Sequence, residues 1–213
     1  MIRLKNITKK FDQKTVYEGF SLDIKRGEIT AVLGASGVGK TTLLNILSGL
    51  TPYEGEISGG ADAVSFVFQE DRLLPFLTVN KNLEYALGKG DYSEGLKSVG
   101  LEGEGNKFPG ELSGGMARRV ALLRAFLKKS DLLLMDEPFG SLDLGVKYRL
   151  MDLFKKMWES DGRTTVLVTH NLDEALYLGQ RIIVLGEGGS ILLDEKPTSS
   201  DELRKRIEKL FIG

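Results

Sequence analysis

The sequence predicts an α/β fold: a mostly parallel central sheet, an antiparallel β part at the N-terminus and an inserted helical lobe. Three observations carry this. Short apolar runs suited to buried strands, such as Ile29-Thr30-Ala31-Val32-Leu33 and Leu132-Leu133-Leu134-Met135, alternate with helical stretches. The early strands alternate apolar and polar residues instead, as half-buried antiparallel strands do. Between residues 71 and 127 the strand-like runs stop and short helices take over. The expected layout is one domain over 1–213, with 1–70 and 128–213 forming the α/β core and 71–127 the helical lobe.

Bulk composition narrows the function. The 213 residues are 41% hydrophobic and 28% charged, with a net charge of -1. This is an ordinary balance for a soluble globular chain, and it advertises neither nucleic acid nor an anionic bilayer as a partner. Cysteine is absent, so disulfides and thiolate metal sites are excluded, which suits a reducing compartment. The first ten residues lack a signal-peptide core, and no run approaches the roughly 18 apolar residues of a membrane helix. A membrane role is expected only through a partner.

The first elements lead to the richest motif. Ile2-Arg3-Leu4-Lys5-Asn6-Ile7 reads as a half-buried strand, and Val16-Tyr17-Glu18 and Phe20-Ser21-Leu22-Asp23-Ile24 as further strand. Phe11 lies before a polar turn; the residues leave open stacking on an adenine ring or ordinary edge packing. After the strand at 29–33 comes Gly34-Ala35-Ser36-Gly37-Val38-Gly39-Lys40-Thr41-Thr42, which fits G-x-x-x-x-G-K-[ST]. A helix follows over 42–49. Strand, glycine-rich turn and helix start aim backbone N–H groups and a partial positive charge at one point, which makes a polyphosphate site. Lys40 would reach the β- and γ-phosphates, and the Thr41 hydroxyl would hold Mg²⁺. The frame fits a P-loop NTPase better than a glycine-rich turn serving only to connect strand and helix.

Strands follow at 55–58 and 64–68. Gln69 comes next, at a strand's C-terminal end, where open α/β sheets place ligand groups. Its amide could ligate Mg²⁺ or position water, or simply be solvated. The lobe reads as helices over 78–87 and 92–99, with Gly100, Gly103, Gly105, Pro109 and Gly110 marking the exit. Leu73-Leu74-Pro75-Phe76-Leu77 is either a partner surface or the lobe's own core. A long helix to Leu127 then opens at Ser113, a natural N-cap. Gly114 and Gly115 leave its first N–H groups uncovered, as at a second anion-binding helix start.

The strand at 132–135 ends in Asp136-Glu137-Pro138. Carboxylates there are costly unless they have work to do. Asp136 suits Mg²⁺ through water, and Glu137 suits the orientation or deprotonation of an attacking water. Asp143 has an adequate reading as the N-cap of a helix over 144–159. His170, the single histidine, ends a strand over 165–169 as Gln69 and Asp136 end theirs. That position points to the γ-phosphate or the water. A helix over 172–178 and strands at 182–185 and 191–193 complete the sheet. Ser199 with Glu202 forms a capping-box pattern for a last helix carrying Leu203, Ile207 and Leu210 on one face.

In this order the motifs resemble those of the ATPase subunit of an ATP-binding cassette (ABC) transporter, from Ile2 to about Glu195. Residues 34–42 are similar to its Walker A, 112–115 to its signature, and 132–137 to its Walker B with the catalytic glutamate. Gln69, Ser141-Leu142-Asp143 and His170 resemble its Q-loop, D-loop and switch histidine, and Phe11 its adenine-stacking aromatic. The resemblance implies Glu137, His170 and Gln69 as catalytic residues, and Mg²⁺ held through Thr41, Gln69 and Asp136. It also implies nucleotide contacts from Phe11, residues 34–42, Ser113, Gly114, Gly115 and Asp143.

A helical lobe between two phosphate-seeking helix starts makes it hard for both to reach one nucleotide. Two copies arranged head to tail around two ATP solve this. Members with this layout serve integral membrane permease subunits, with a substrate-binding protein acting on the permease, at the cytoplasmic face of the cell membrane. The sequence departs from the family at Met116, where glutamine is usual, and over 88–109, which is shorter than common. Asp136-Glu137-Pro138-Phe139-Gly140 and Gln69-Glu70 with Leu74-Pro75 look most like bacterial importers of the nitrate, sulfonate, taurine or thiamine-precursor type. The competing reading is a soluble ABC ATPase acting on DNA or ribosomes. Such relatives usually carry tandem cassettes or long coiled coils, and neither is present.

Overall fold

A computed structural model describes residues 1–12, 14–197 and 201–212. Its elements run β1 (Ile2–Phe11), β2 (Lys14–Ile24), β3 (Ile29–Gly34), α1 (Lys40–Leu47), β4 (Glu54–Ser58), β5 (Val64–Val67), α2 (Val79–Leu87), α3 (Ser93–Ser98) and α4 (Gly114–Leu127). Then follow β6 (Leu132–Asp136), α5 (Leu144–Asp161), β7 (Thr164–Val168), α6 (Leu172–Leu178), β8 (Arg181–Leu185), β9 (Ile191–Glu195) and α7 (Asp201–Ile212). They gather into two compact units: Met1–Val64 with Ser130–Glu137 and Gly162–Gly213, and Ser65–Lys129 with Pro138–Asp161.

The first unit holds two sheets. The smaller is antiparallel, with β1 between β2 and β4. β1 runs four residues past the expected end, and the two expected pieces of β2 are one strand. The β1–β2 pairing shifts register three times, so the apolar–polar alternation slips there and hides the continuity. The larger sheet is the predicted parallel one, in the order β6-β7-β3-β8-β9 within this unit, with β9 alone antiparallel to its neighbour. Every residue of β3, β6 and β7 is buried. That is why those strands read as continuous apolar or β-branched runs.

One core of this unit joins Ala31 and Leu33 to Ala175, Ile182, Val184, Leu193, Leu203 and Ile207. Of the three apolar residues expected on one face of α7, Leu203 and Ile207 are buried, but Leu210 is 40% exposed. The capping pattern expected at Ser199 lies outside the described residues.

The second unit is mostly helical and extends beyond 71–127. It also takes in α5, which the sequence reading assigned to the α/β core. The Phe154 ring of α5 lies 5.2 Å from that of Phe126 on α4. That ring contact joins α5 to α4 within the second unit. Asn82 orders the loop ahead of α2: its Oδ1 accepts from Leu74 N (2.7 Å), and its Nδ2 donates to the carbonyls of Leu74, Leu77 and Thr78.

Candidate nucleotide site

β3 delivers the chain into the phosphate loop, and α1 begins at Lys40 with Gly39 as its cap. Gly39 has φ 111°, and a Cβ there would sit 2.7 Å from Val16 Cγ1. Only glycine combines that backbone with that neighbour. The Tyr17 hydroxyl donates to the Gly39 carbonyl at 2.8 Å. Burial raises the Tyr17 pKa well above its ordinary value, so it remains a protonated donor. Lys40 folds back on the loop, its Nζ donating to the carbonyls of Gly34 (2.8 Å) and Ala35 (2.9 Å). Burial lowers the Lys40 pKa, against the opposing pull of Glu137 and then Asp136. A partly desolvated cation gains from an anion brought beside it. Ala35, Ser36, Gly37 and Thr41 are exposed, Thr42 is half-buried and Val38 is buried. A cavity of about 520 Å³ lies beside the loop, lined among others by residues 34–38, Val16, Leu185 and Leu210.

The ends of neighbouring strands converge on the same unit. Asp136, 3% exposed, is the last residue of β6. Glu137 turns the chain out of the strand with φ 48°, and its N–H donates to the Val168 carbonyl of β7 at 2.9 Å. A non-glycine residue in that region is strained, and such strain collects at functional sites. Its Oε2 lies 2.8 Å from His170 Nδ1. The backbone on either side of the histidine is held by Thr169, whose Oγ1 donates to the buried Glu174 Oε2 (2.7 Å) and accepts from Asn171 N–H (3.0 Å), while the His170 side chain itself is 71% exposed. Thus Lys40, Asp136, Glu137 and His170 share the first unit.

Phe11 closes β1 there, 48% exposed, with the Lys9 ammonium 4.4 Å from its ring centroid. One ring face therefore already carries a cation, and nearly half of the residue is open.

The remaining candidates belong to the second unit. Gln69 is exposed two residues beyond β5. Ser113 caps α4 as expected, Oγ accepting from Met116 N–H at 3.3 Å. A Cβ built on Gly114 or Gly115 meets nothing of this chain within 4 Å. Asp143 is exposed ahead of α5, and its carbonyl accepts from Lys147 N–H at 2.8 Å.

Sequence reasoning missed Tyr17, Glu174 and Arg118. Tyr17 looked like an ordinary strand aromatic. Glu174 left a faint trace, as an acid on the buried face of α6 beside Ala175. Arg118 sat unnoticed in a basic pair on α4.

The chain is similar to known proteins over most of its length. A family model described as ABC transporter matches residues 17–140. The aliphatic sulfonates import ATP-binding protein SsuB 2 of Streptomyces avermitilis is 42% identical over 202 residues, covering 91% of this chain and 79% of that protein. A protein of the same name from Pseudomonas syringae pv. tomato is 40% identical over 208 residues, covering 95% and 90%. The dimeric structure of MJ0796, a bacterial ABC transporter cassette, superposes with a TM-score of 0.81 at 35% identity, covering 94% of this chain and all of that one. The same cassette is also known as a dimer in a post-hydrolysis state bound to ADP and Pi. From its phosphate loop to the residues after its buried Asp136, this chain belongs to the ATPase subunits of the ABC transporter family.

Proposed function

We propose that two copies of this chain close head to tail around two ATP and power an importer through membrane permease subunits. The observation that carries the pairing is the start of α4. Ser113 and Gly114 are exposed, and neither Gly114 nor Gly115 is required by the chain's own packing. A helix start stripped of side chains admits the phosphates of a nucleotide held by another molecule. The dimeric MJ0796 cassettes support the pairing, and the import proteins of Streptomyces and Pseudomonas favour transport over action on DNA or ribosomes.

Within each site, Lys40 and the loop N–H groups bind the β- and γ-phosphates, and Phe11 offers its open ring face to the adenine. Ser113, Gly114 and Gly115 close the partner's nucleotide, with Asp143 at the same seam. Glu137 takes the proton of the attacking water, and His170, whose Nδ1 lies 2.8 Å from its Oε2, faces the same group. Thr41, Asp136 and Gln69 supply hard oxygen donors that fit Mg²⁺. Among the described residues no cluster of His, Cys, Asp or Glu would hold a metal by itself. Magnesium bound through one or two protein oxygens and the nucleotide's own phosphates needs none. Bound there, it would neutralise charge on the β- and γ-phosphates.

No described helix is long and apolar enough to cross a membrane; by analogy with the import ATP-binding proteins, attachment is peripheral, at the cytoplasmic face. The loop 71–77 meets the permease with Phe76, which is 72% exposed. A substrate-binding protein delivers the cargo to that permease, and the cargo class is an aliphatic sulfonate, by analogy with the relatives.

The decisive test mixes Ser113→Arg with Lys40→Ala chains. Each parent should hydrolyse almost no ATP, and the mixture should regain turnover, because each mixed dimer carries one intact composite site. A mixture that stays inactive although both parents fold and pair overturns the proposal.

A further inference from the structure

Arg118 sits on α4 one turn beyond Ser113 and is 2% exposed. Its Nε donates to the Pro138 carbonyl at 2.8 Å. Its Nη1 donates to the Phe68 carbonyl at 2.6 Å and to that of Gln69 at 3.4 Å, and meets Asp71 Oδ1 at 3.3 Å. All these groups lie in the second unit. Arg124, further along the same helix, donates to the Asp71 and Arg72 carbonyls, both at 3.0 Å. The segment carrying Gln69 is therefore tied to α4 at successive residues, and so is the residue that follows Glu137 in the chain.

Packing alone does not account for this. A leucine or methionine would fill the space without the cost of burying a guanidinium. The planar fork of arginine does what neither they nor lysine can: it fixes acceptors from two separate loops in one geometry.

We propose that Arg118 is a positioning residue for ATP hydrolysis, locking the Phe68–Asp71 segment and Pro138 to the helix that begins at Ser113. Any shift of α4 on taking up a phosphate then passes to the backbone of both segments together. This rests on the reading of Gln69 and Glu137 given above.

The test measures steady-state ATP hydrolysis by the full chain carrying Arg118→Gln, Arg118→Lys, Gln69→Ala or Glu137→Gln, and by the Gln69→Ala/Arg118→Gln double variant. In Arg118→Gln, kcat should fall on the order of tenfold to a hundredfold, the usual effect of a misplaced reacting group. KM for ATP should stay within about twofold, because ground-state binding is untouched. Arg118→Lys should fall between Arg118→Gln and the wild type. The double variant should lose less than the product of the two single losses, since both act on one segment.

A folded Arg118→Gln with wild-type kcat, a change confined to KM, or full multiplicative loss in the double variant overturns the proposal. Should Arg118→Gln fail to fold, wild-type kcat in Arg118→Lys overturns it equally. If Gln69→Ala and Glu137→Gln themselves keep wild-type turnover, the site reading fails and takes this proposal with it. If they lose turnover while Arg118→Gln does not, this proposal alone fails.

Discussion

At the scale of single residues, charge and geometry decide the chemistry. Glu137 stands in a strained turn at the end of a buried strand, with His170 Nδ1 2.8 Å away. In Glu137→Gln, ATP binding should persist while phosphate release falls by roughly a hundredfold to ten-thousandfold, the usual contribution of a positioned base. The ATP-bound dimer should accumulate on gel filtration. Tyr17 acts at one remove: its hydroxyl holds the carbonyl of the residue that caps α1. Tyr17→Phe should cost about 1 kcal/mol of stability, the value of a lost buried hydrogen bond, read as a lower midpoint in urea. Glu137 drew notice in the sequence because two adjacent carboxylates closing a buried apolar run need a reason. Tyr17 was not, because an aromatic in an alternating strand already has one.

At the scale of elements, β3, β6 and β7 are fully buried, and their C-terminal ends present the phosphate loop, Asp136 and His170. Leu134 is completely buried in β6. Leu134→Ala should destabilise the chain by about 2–5 kcal/mol, the range for emptying a tight core site, measured by chemical denaturation. The same variant should loosen the strand that presents Asp136. Continuous apolar runs made these strands legible. The full length of β2 was hidden by its register shifts with β1, and the membership of α5 by the Phe126–Phe154 contact across distant parts of the chain. The arginines of α4 escaped for a related reason. Arg118, Arg119 and Arg124 all donate to backbone carbonyls, and a carbonyl leaves no mark in a side-chain pattern.

At the scale of the whole molecule, the proposed function depends on other chains. Phe76 stands exposed on a loop that Asn82 pins at three carbonyls. Phe76→Asp should leave the fold within about 0.5 kcal/mol, as exposed substitutions usually do, and leave basal ATP hydrolysis near wild type. Copurification with the permease should be lost, and undiminished capture would remove this loop from the docking surface.

Read alone, the sequence determined the α/β class, the phosphate-loop pattern, the carboxylate pair closing the β6 run, the histidine after β7 and the glycine-bare start of α4. Each of these is a local pattern whose chemistry is carried by residues adjacent in the chain. Only the tertiary structure decided that Tyr17 supports Gly39, that Thr169 bonds Glu174 beside His170, that Leu210 is half exposed, and that Arg118 reaches Phe68 and Pro138. These pairings join residues on different elements or turn on which face is covered. Burial and hydrogen bonding between elements are settled by packing, and packing has no period that a reader of the chain can count.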